Sequence, residues 1–125
     1  MNRFNHFEFA TTDIEKTAAF YRLVFGWHIQ KWNGPVDYWI VDTGDESTPG
    51  INGGLIQAGG EFSGTINTVE VEDLDAVIAK VKASGGAIIS EKQPIPGVGQ
   101  IAYFKDNCGI VVGILQPDPN ASMGD

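Results

Sequence analysis

Apolar and polar positions alternate from Phe4 to Phe9, with Phe7 and Phe9 on one side and His6 and Glu8 on the other, which predicts a half-buried strand. The period then changes. Ile14, Ala18, Tyr21 and Phe25 recur at helical spacing, and Gly26 stands where a left-handed cap ends a helix. Thr12-Asp13-Ile14-Glu15 fits a capping box, with Thr12 accepting from the first turn and Glu15 reaching back. Strands are predicted next at Trp27 to Trp32, Asp37 to Asp42 and Ile51 to Gln57, parted by the turn formers Asn33-Gly34-Pro35 and the run from Gly44 to Gly50. The same order then returns. Thr65 to Val71 reads as a strand, and Asp73 caps a helix that carries Leu74, Ile78 and Val81 and stops at Gly85-Gly86. Three more strands follow at Ala87 to Glu91, Gln100 to Lys105 and Ile110 to Gln116, with Asp106-Asn107-Cys108-Gly109 as a tight hairpin turn.

The return is an internal repeat. Asp73 stands sixty residues after Asp13, and Gly54-Leu55-Ile56-Gln57 is echoed by Gly113-Ile114-Leu115-Gln116. A repeat this long exceeds most solenoid units and is too short for two self-sufficient domains. The expectation is a single domain over residues 1–125, with module 1 at about 4–57, a flexible glycine-rich linker at 58–64, module 2 at about 65–116 and a fraying tail at 117–125. Its class is α+β: two tandem βαβββ modules whose strands form a curled mixed sheet around a cavity, with a helix on each outer face.

Composition narrows the function. A net charge of −8 excludes nucleic acid and anionic membrane as partners, because neutralising phosphates takes a basic patch. There is no apolar run of about eighteen residues to span a bilayer, and no apolar signal stretch at the N-terminus. The one cysteine excludes an internal disulfide. The expected setting is cytoplasmic, and the expected partner is a small-molecule ligand.

The pattern resembles the vicinal oxygen chelate superfamily, which includes glyoxalase I, extradiol dioxygenases, fosfomycin-resistance enzymes and bleomycin-binding proteins. The resemblance is carried by His6-Phe7-Glu8-Phe9 with Asp13-Ile14-Glu15, by the run from Ala18 through Phe20-Tyr21 to Phe25-Gly26-Trp27, and by Ala102-Tyr103-Phe104-Lys105-Asp106-Asn107-Cys108-Gly109. It implies the βαβββ fold and, by analogy, a homodimer. Metal-dependent members take one ligand from the first and last strand of each module. Carried over, those positions are His6, Gly54, Ile66 and Gly113, and three of these four residues have no donor side chain. The resemblance therefore implies the metal-free subgroup, with no metal and no other cofactor, and a pocket enlarged by the two glycines.

The candidate chemistry follows. His6 and Glu8 share a strand face and are the candidate acid and base, since a desolvated carboxyl or imidazole near neutrality transfers protons well. Glu70 occupies the analogous region of the second half. Either Tyr38 or Trp39 faces the cavity, because strand neighbours alternate, and Trp39 is the candidate taken for substrate binding together with Gly54, Ile101, Tyr103 and Gly113. Trp27 belongs to the Phe-Gly-Trp turn and reads as structural. Cys108, in a polar turn, has no base near it in sequence. Two functions stay open: a binding protein with a metal-free cavity for a small, partly apolar molecule, or a lyase, isomerase or oxygenase-type enzyme using His6 and Glu8, with or without a divalent metal.

Overall fold

The computed structural model describes residues 1–34 and 37–118; Pro35 of the predicted turn and the tail beyond 118 lie outside them. The elements run β1 (Arg3–Thr11), α1 (Ile14–Phe25), β2 (His28–Lys31), β3 (Trp39–Asp42), β4 (Asn52–Gln57), β5 (Gly64–Glu70), α2 (Leu74–Ala83), β6 (Ala87–Ile95), β7 (Gly99–Lys105) and β8 (Val111–Pro117). The order βαβββ occurs twice, and the class is α+β as predicted. Contacts divide the chain into two compact units, one of residues 6–66 and the other of residues 1–5 with the chain from Asn67 onward.

In the first unit the strand order is β2-β3-β4-β1. β4 lies parallel to β1, with Glu8 opposite Gly54, while β3 runs antiparallel to both β4 and β2. The strand alternation sends Phe7, Ile29, Val41 and Leu55 to one face, where Ile14 and Ala18 of α1 close over them. Val41 and Leu55 are wholly buried, each contributing about 1.5–3 kcal/mol of apolar burial. Trp27 stacks on Tyr21 at 5.2 Å and so locks the end of α1, the structural role expected of it. Phe25, expected on the core face, keeps 61% of its surface exposed while its ring lies against Trp27. Arg22 donates to the Ile29 carbonyl, and Gly26 closes the helix at φ +70°. The N-cap departs from the expected one. Asp13, not Thr12, adopts the extended cap conformation, and its Oδ1 accepts the Lys16 N–H at 3.0 Å.

The second unit repeats this with order β5-β8-β7-β6. β8 lies parallel to β5, and β7 pairs antiparallel with β8 and β6. Val71, Leu74, Ala102 and Ile114 form its core under α2, whose Asp73 cap accepts from the Ala76 N–H at 3.1 Å. β6 extends beyond its predicted end and includes Pro94 and Ile95, with register shifts on the way; an edge position tolerates the missing proline N–H. The first residues of the chain pack here: the Asn2 N–H donates to the Glu70 carbonyl at 2.7 Å, and the Asn5 amide donates to the Glu70 carboxylate at 2.7 Å.

The glutamines that end each half of the repeat hold the strand–helix junctions. Gln57 Nε2 donates to the Thr12 carbonyl at 3.1 Å, and Gln116 Oε1 accepts the Leu74 N–H at 2.8 Å. Within the glycine-rich segment expected to be a flexible linker, Gly59 and Phe62 exchange backbone hydrogen bonds of 3.0 and 2.9 Å. No described helix is long and apolar enough to cross a membrane.

Candidate functional site

With Phe7 committed to the core, the pleat of β1 turns His6 and Glu8 to the face away from α1. Glu8 is 2% exposed and His6 is half-buried. His6 Nε2 lies 2.7 Å from the Tyr38 hydroxyl. Burial holds the imidazole pKa below its ordinary 6.5, so the ring is neutral at neutral pH, with one nitrogen as donor and the other as acceptor.

The Tyr38–Trp39 ambiguity is resolved by register. Trp39 pairs with Leu55, a core residue, and packs against the helix-side cluster. Its pocket-lining assignment therefore needs correcting: Trp39 serves the core of the first unit, and the side chain beside His6 is Tyr38. Gly54 explains how Tyr38 fits. A Cβ at Gly54 would stand 2.0 Å from the Tyr38 hydroxyl oxygen and 2.1 Å from Cζ, both far inside contact distance. The space expected to widen a pocket is thus filled by the phenol. The adjacent Gly53 answers to the other face, where a Cβ would meet the Phe7 carbonyl at 2.3 Å.

The second unit gathers another predicted pair. Gly113 lies opposite Thr68 on one side and Tyr103 on the other. A Cβ there would stand 2.8 Å from Thr68 Oγ1 and 3.1 Å from Tyr103 Cε1. Thr68 is wholly buried, and its hydroxyl has no hydrogen-bond partner among the described residues. Ile101, half-buried, sits two residues from Tyr103 on the same face of β7. Among the expected site residues, His6, Glu8 and Gly54 come together around Tyr38, while Ile101, Tyr103 and Gly113 come together around Thr68. Glu70 is engaged by Asn5, His28 is exposed, and Cys108 is exposed in its turn. Thr68 is the residue that sequence reasoning missed, and Tyr38 is the one it left open beside Trp39. Thr68 stands sixty residues after Glu8, so the repeat marks it as the counterpart. Tyr38 has no such mark, because only its cross-strand register singles it out.

Two surface hollows lie apart from His6 and Tyr38 and from Thr68 and Tyr103. One, of about 320 Å³, is lined by Met1, Arg3, Phe4, Asn5 and Glu70. The other, of about 270 Å³, lies along the loop from Thr43 to Asn52.

Residues 3–114 match the family described as the Glyoxalase/Bleomycin resistance protein/Dioxygenase superfamily. The chain belongs to this superfamily. A relative from Vibrio parahaemolyticus, named as a probable lactoylglutathione lyase, is 30% identical over 123 residues, covering 90% of this chain and 88% of its own. A Mycobacterium bovis protein whose name places it among glyoxylases is 43% identical over 49 residues. That alignment covers 39% of this chain and only 19% of the mycobacterial protein's length. Among solved structures, a methylmalonyl-CoA epimerase of Streptomyces coelicolor superposes with a TM-score of 0.69 at 19% identity, over 98% of this chain and 99% of that one. This last likeness is one of fold.

The superfamily's divalent-metal site does not fit the residues present. Among the described residues no three of His, Cys, Asp and Glu gather to hold an ion. Of the four inherited positions only His6 has a donor atom, its Nε2 is engaged by Tyr38, and the phenol fills the place into which a carboxylate at residue 54 would project.

Proposed function

We propose that this superfamily member binds a small, partly apolar molecule without a divalent metal, on the face of the first unit that carries His6, Glu8 and Tyr38. The observation behind this reading is the 2.7 Å bond between His6 Nε2 and the Tyr38 hydroxyl, formed over the missing side chain of Gly54. A metal ligand has been replaced there by a hydrogen-bonded pair of uncharged groups. The strand pairing puts Ile40 and Ile56 on the same face, which supplies apolar surface for the rest of the ligand.

A second reading, an enzyme of lyase or isomerase type, is supported by Glu8. A carboxyl group 2% exposed and two residues from a neutral imidazole has the setting in which proton transfer is tuned. The name of the Vibrio parahaemolyticus relative, a probable lactoylglutathione lyase, favours the same reading.

Native mass spectrometry and elemental analysis of protein purified without chelator test the first reading. The expected result is a chain free of stoichiometric metal that retains or takes up a small organic molecule. About one zinc, nickel, iron or manganese per chain, lost in His6→Ala, would overturn it. Turnover of the captured molecule by the metal-free protein, abolished in Glu8→Gln, would move the assignment to the enzyme.

A further inference from the structure

We infer that the hollow at the start of β1 is a second binding site, for a small zwitterion with an apolar body such as an α-amino acid with an apolar side chain. Arg3 receives its carboxylate and Glu70 its ammonium group. The hollow belongs wholly to the second unit and stands apart from the face that carries His6 and Tyr38, so its role is independent of the function proposed above.

The hollow measures about 320 Å³ and is lined by Met1, Arg3, Phe4, Asn5 and Glu70, which puts it at the small end of the range for ligand pockets. Two of these residues carry opposite charges, yet no ion pair joins them. The Arg3 guanidinium has neither an ion pair nor a hydrogen bond among the described residues, in a chain where 16 acidic residues face 8 Lys and Arg. Glu70 is held at two points. Its carbonyl accepts the Asn2 N–H at 2.7 Å, and its Oε2 accepts the Asn5 amide at 2.7 Å. The other carboxylate oxygen has no partner among the described residues and can accept from an ammonium donor. Asn2 makes its bond with a left-handed backbone at φ +63°, so the chain bends there and Met1 joins the wall. Met1 and Phe4 keep 58% and 55% of their surface exposed and supply the apolar part of the site. A lone anion would meet Glu70, a lone cation would meet Arg3, and an uncharged molecule would answer neither charge. A zwitterion answers both.

L-Phenylalanine carries both charges on an aromatic body, 3-phenylpropanoate lacks the ammonium group, and 2-phenylethylamine lacks the carboxylate. Binding of each is followed by NMR from the Asn5 side-chain amide and the Met1 methyl group, at neutral pH and low salt. Exposed charge contacts are weak, so phenylalanine is expected to bind in the millimolar range, about two- to fivefold more tightly than either analogue. Arg3→Gln is expected to bring phenylalanine level with phenylethylamine. Glu70→Gln, which keeps an oxygen for the Asn5 amide, is expected to bring it level with phenylpropanoate. Arg3 is exposed and Glu70 half-buried, so both variants should fold, and their backbone amide spectra check this. Phenylalanine binding no more tightly than its analogues would overturn the inference, as would a preference that survives either substitution. So would an Asn5 amide that does not respond at about 10 mM phenylalanine. Shifts confined to His6 and Tyr38 would place the molecule on the first unit's face and overturn the hollow as its site.

Discussion

Gly54 and Tyr38 form a pair in which one residue's missing side chain is the other's space, and that relation has a measurable signature. Gly54→Ala places a Cβ 2.0 Å from the phenol oxygen and should cost about 1–3 kcal/mol of overpacking. In a Tyr38→Ala background the same change meets no ring, and its cost should fall to within about 0.5 kcal/mol. Urea denaturation of the four proteins gives the coupling directly, and additive effects would mean that the two side chains do not compete. Thr68 presents the converse problem, a hydroxyl that is buried and has no described partner. Leaving a polar group unsatisfied is destabilising, so the nearly isosteric Thr68→Val should stabilise the fold by about 1 kcal/mol. A loss of that size would show that the hydroxyl is satisfied in solution, by water or by a ligand group reaching the cleared space at Gly113.

At the scale of elements, helix starts separate what the sequence makes legible from what it leaves open. Thr12 and Asp13 are both good cap residues, and the capping-box pattern favours Thr12, yet the backbone turns extended at Asp13 (φ −145°) and its carboxylate takes the Lys16 N–H. Asp13→Ala should therefore lower stability by about 1 kcal/mol, and Thr12→Ala should stay within about 0.5 kcal/mol of the parent. Thermal melts of the two variants check this, and the reverse order would return the cap to Thr12. The strands and helices were otherwise readable because each period is written locally: Phe7 and Phe9 against His6 and Glu8, or Ile14 and Ala18 along α1. Features set between distant segments were not. The choice between Tyr38 and Trp39 depends on Trp39 lying opposite Leu55, sixteen residues away. The turn at Gly59–Phe62 depends on two backbone bonds that glycine-rich composition does not reveal. Half of the first-unit site, His6 and Glu8, was thus visible in one strand's alternation, while Tyr38 required the pairing of two.

For the molecule as a whole, these local arrangements meet in the dependence of stability on pH. Burial lowers the His6 pKa in the folded chain below the 6.5 it has when unfolded, so between those values the unfolded chain binds the extra proton and the folded chain does not. The sign follows. The contribution is undiminished above pH 6.5, declines as pH falls from 6.5 toward the lowered folded value, and changes no further below it. The decline cannot exceed about 1.4 kcal/mol per pH unit, the limit for a single proton. Asp106 acts in a separate, more acidic window. The backbone N–H groups of Ile110 and Cys108 hold its carboxyl below 3.8, so the stability it contributes is present above that pH and is lost as pH falls further. The two windows make the His6 effect separable. Urea midpoints between pH 7.5 and 5 should fall with acidification in the parent, and should fall less in His6→Gln, which keeps a hydrogen-bonding side chain beside Tyr38 but has no proton to gain. If the two profiles run parallel across that range, His6 is not the neutral, desolvated partner of Tyr38 in the folded protein, and the hydrogen-bonded pair proposed to replace the metal loses its physical basis.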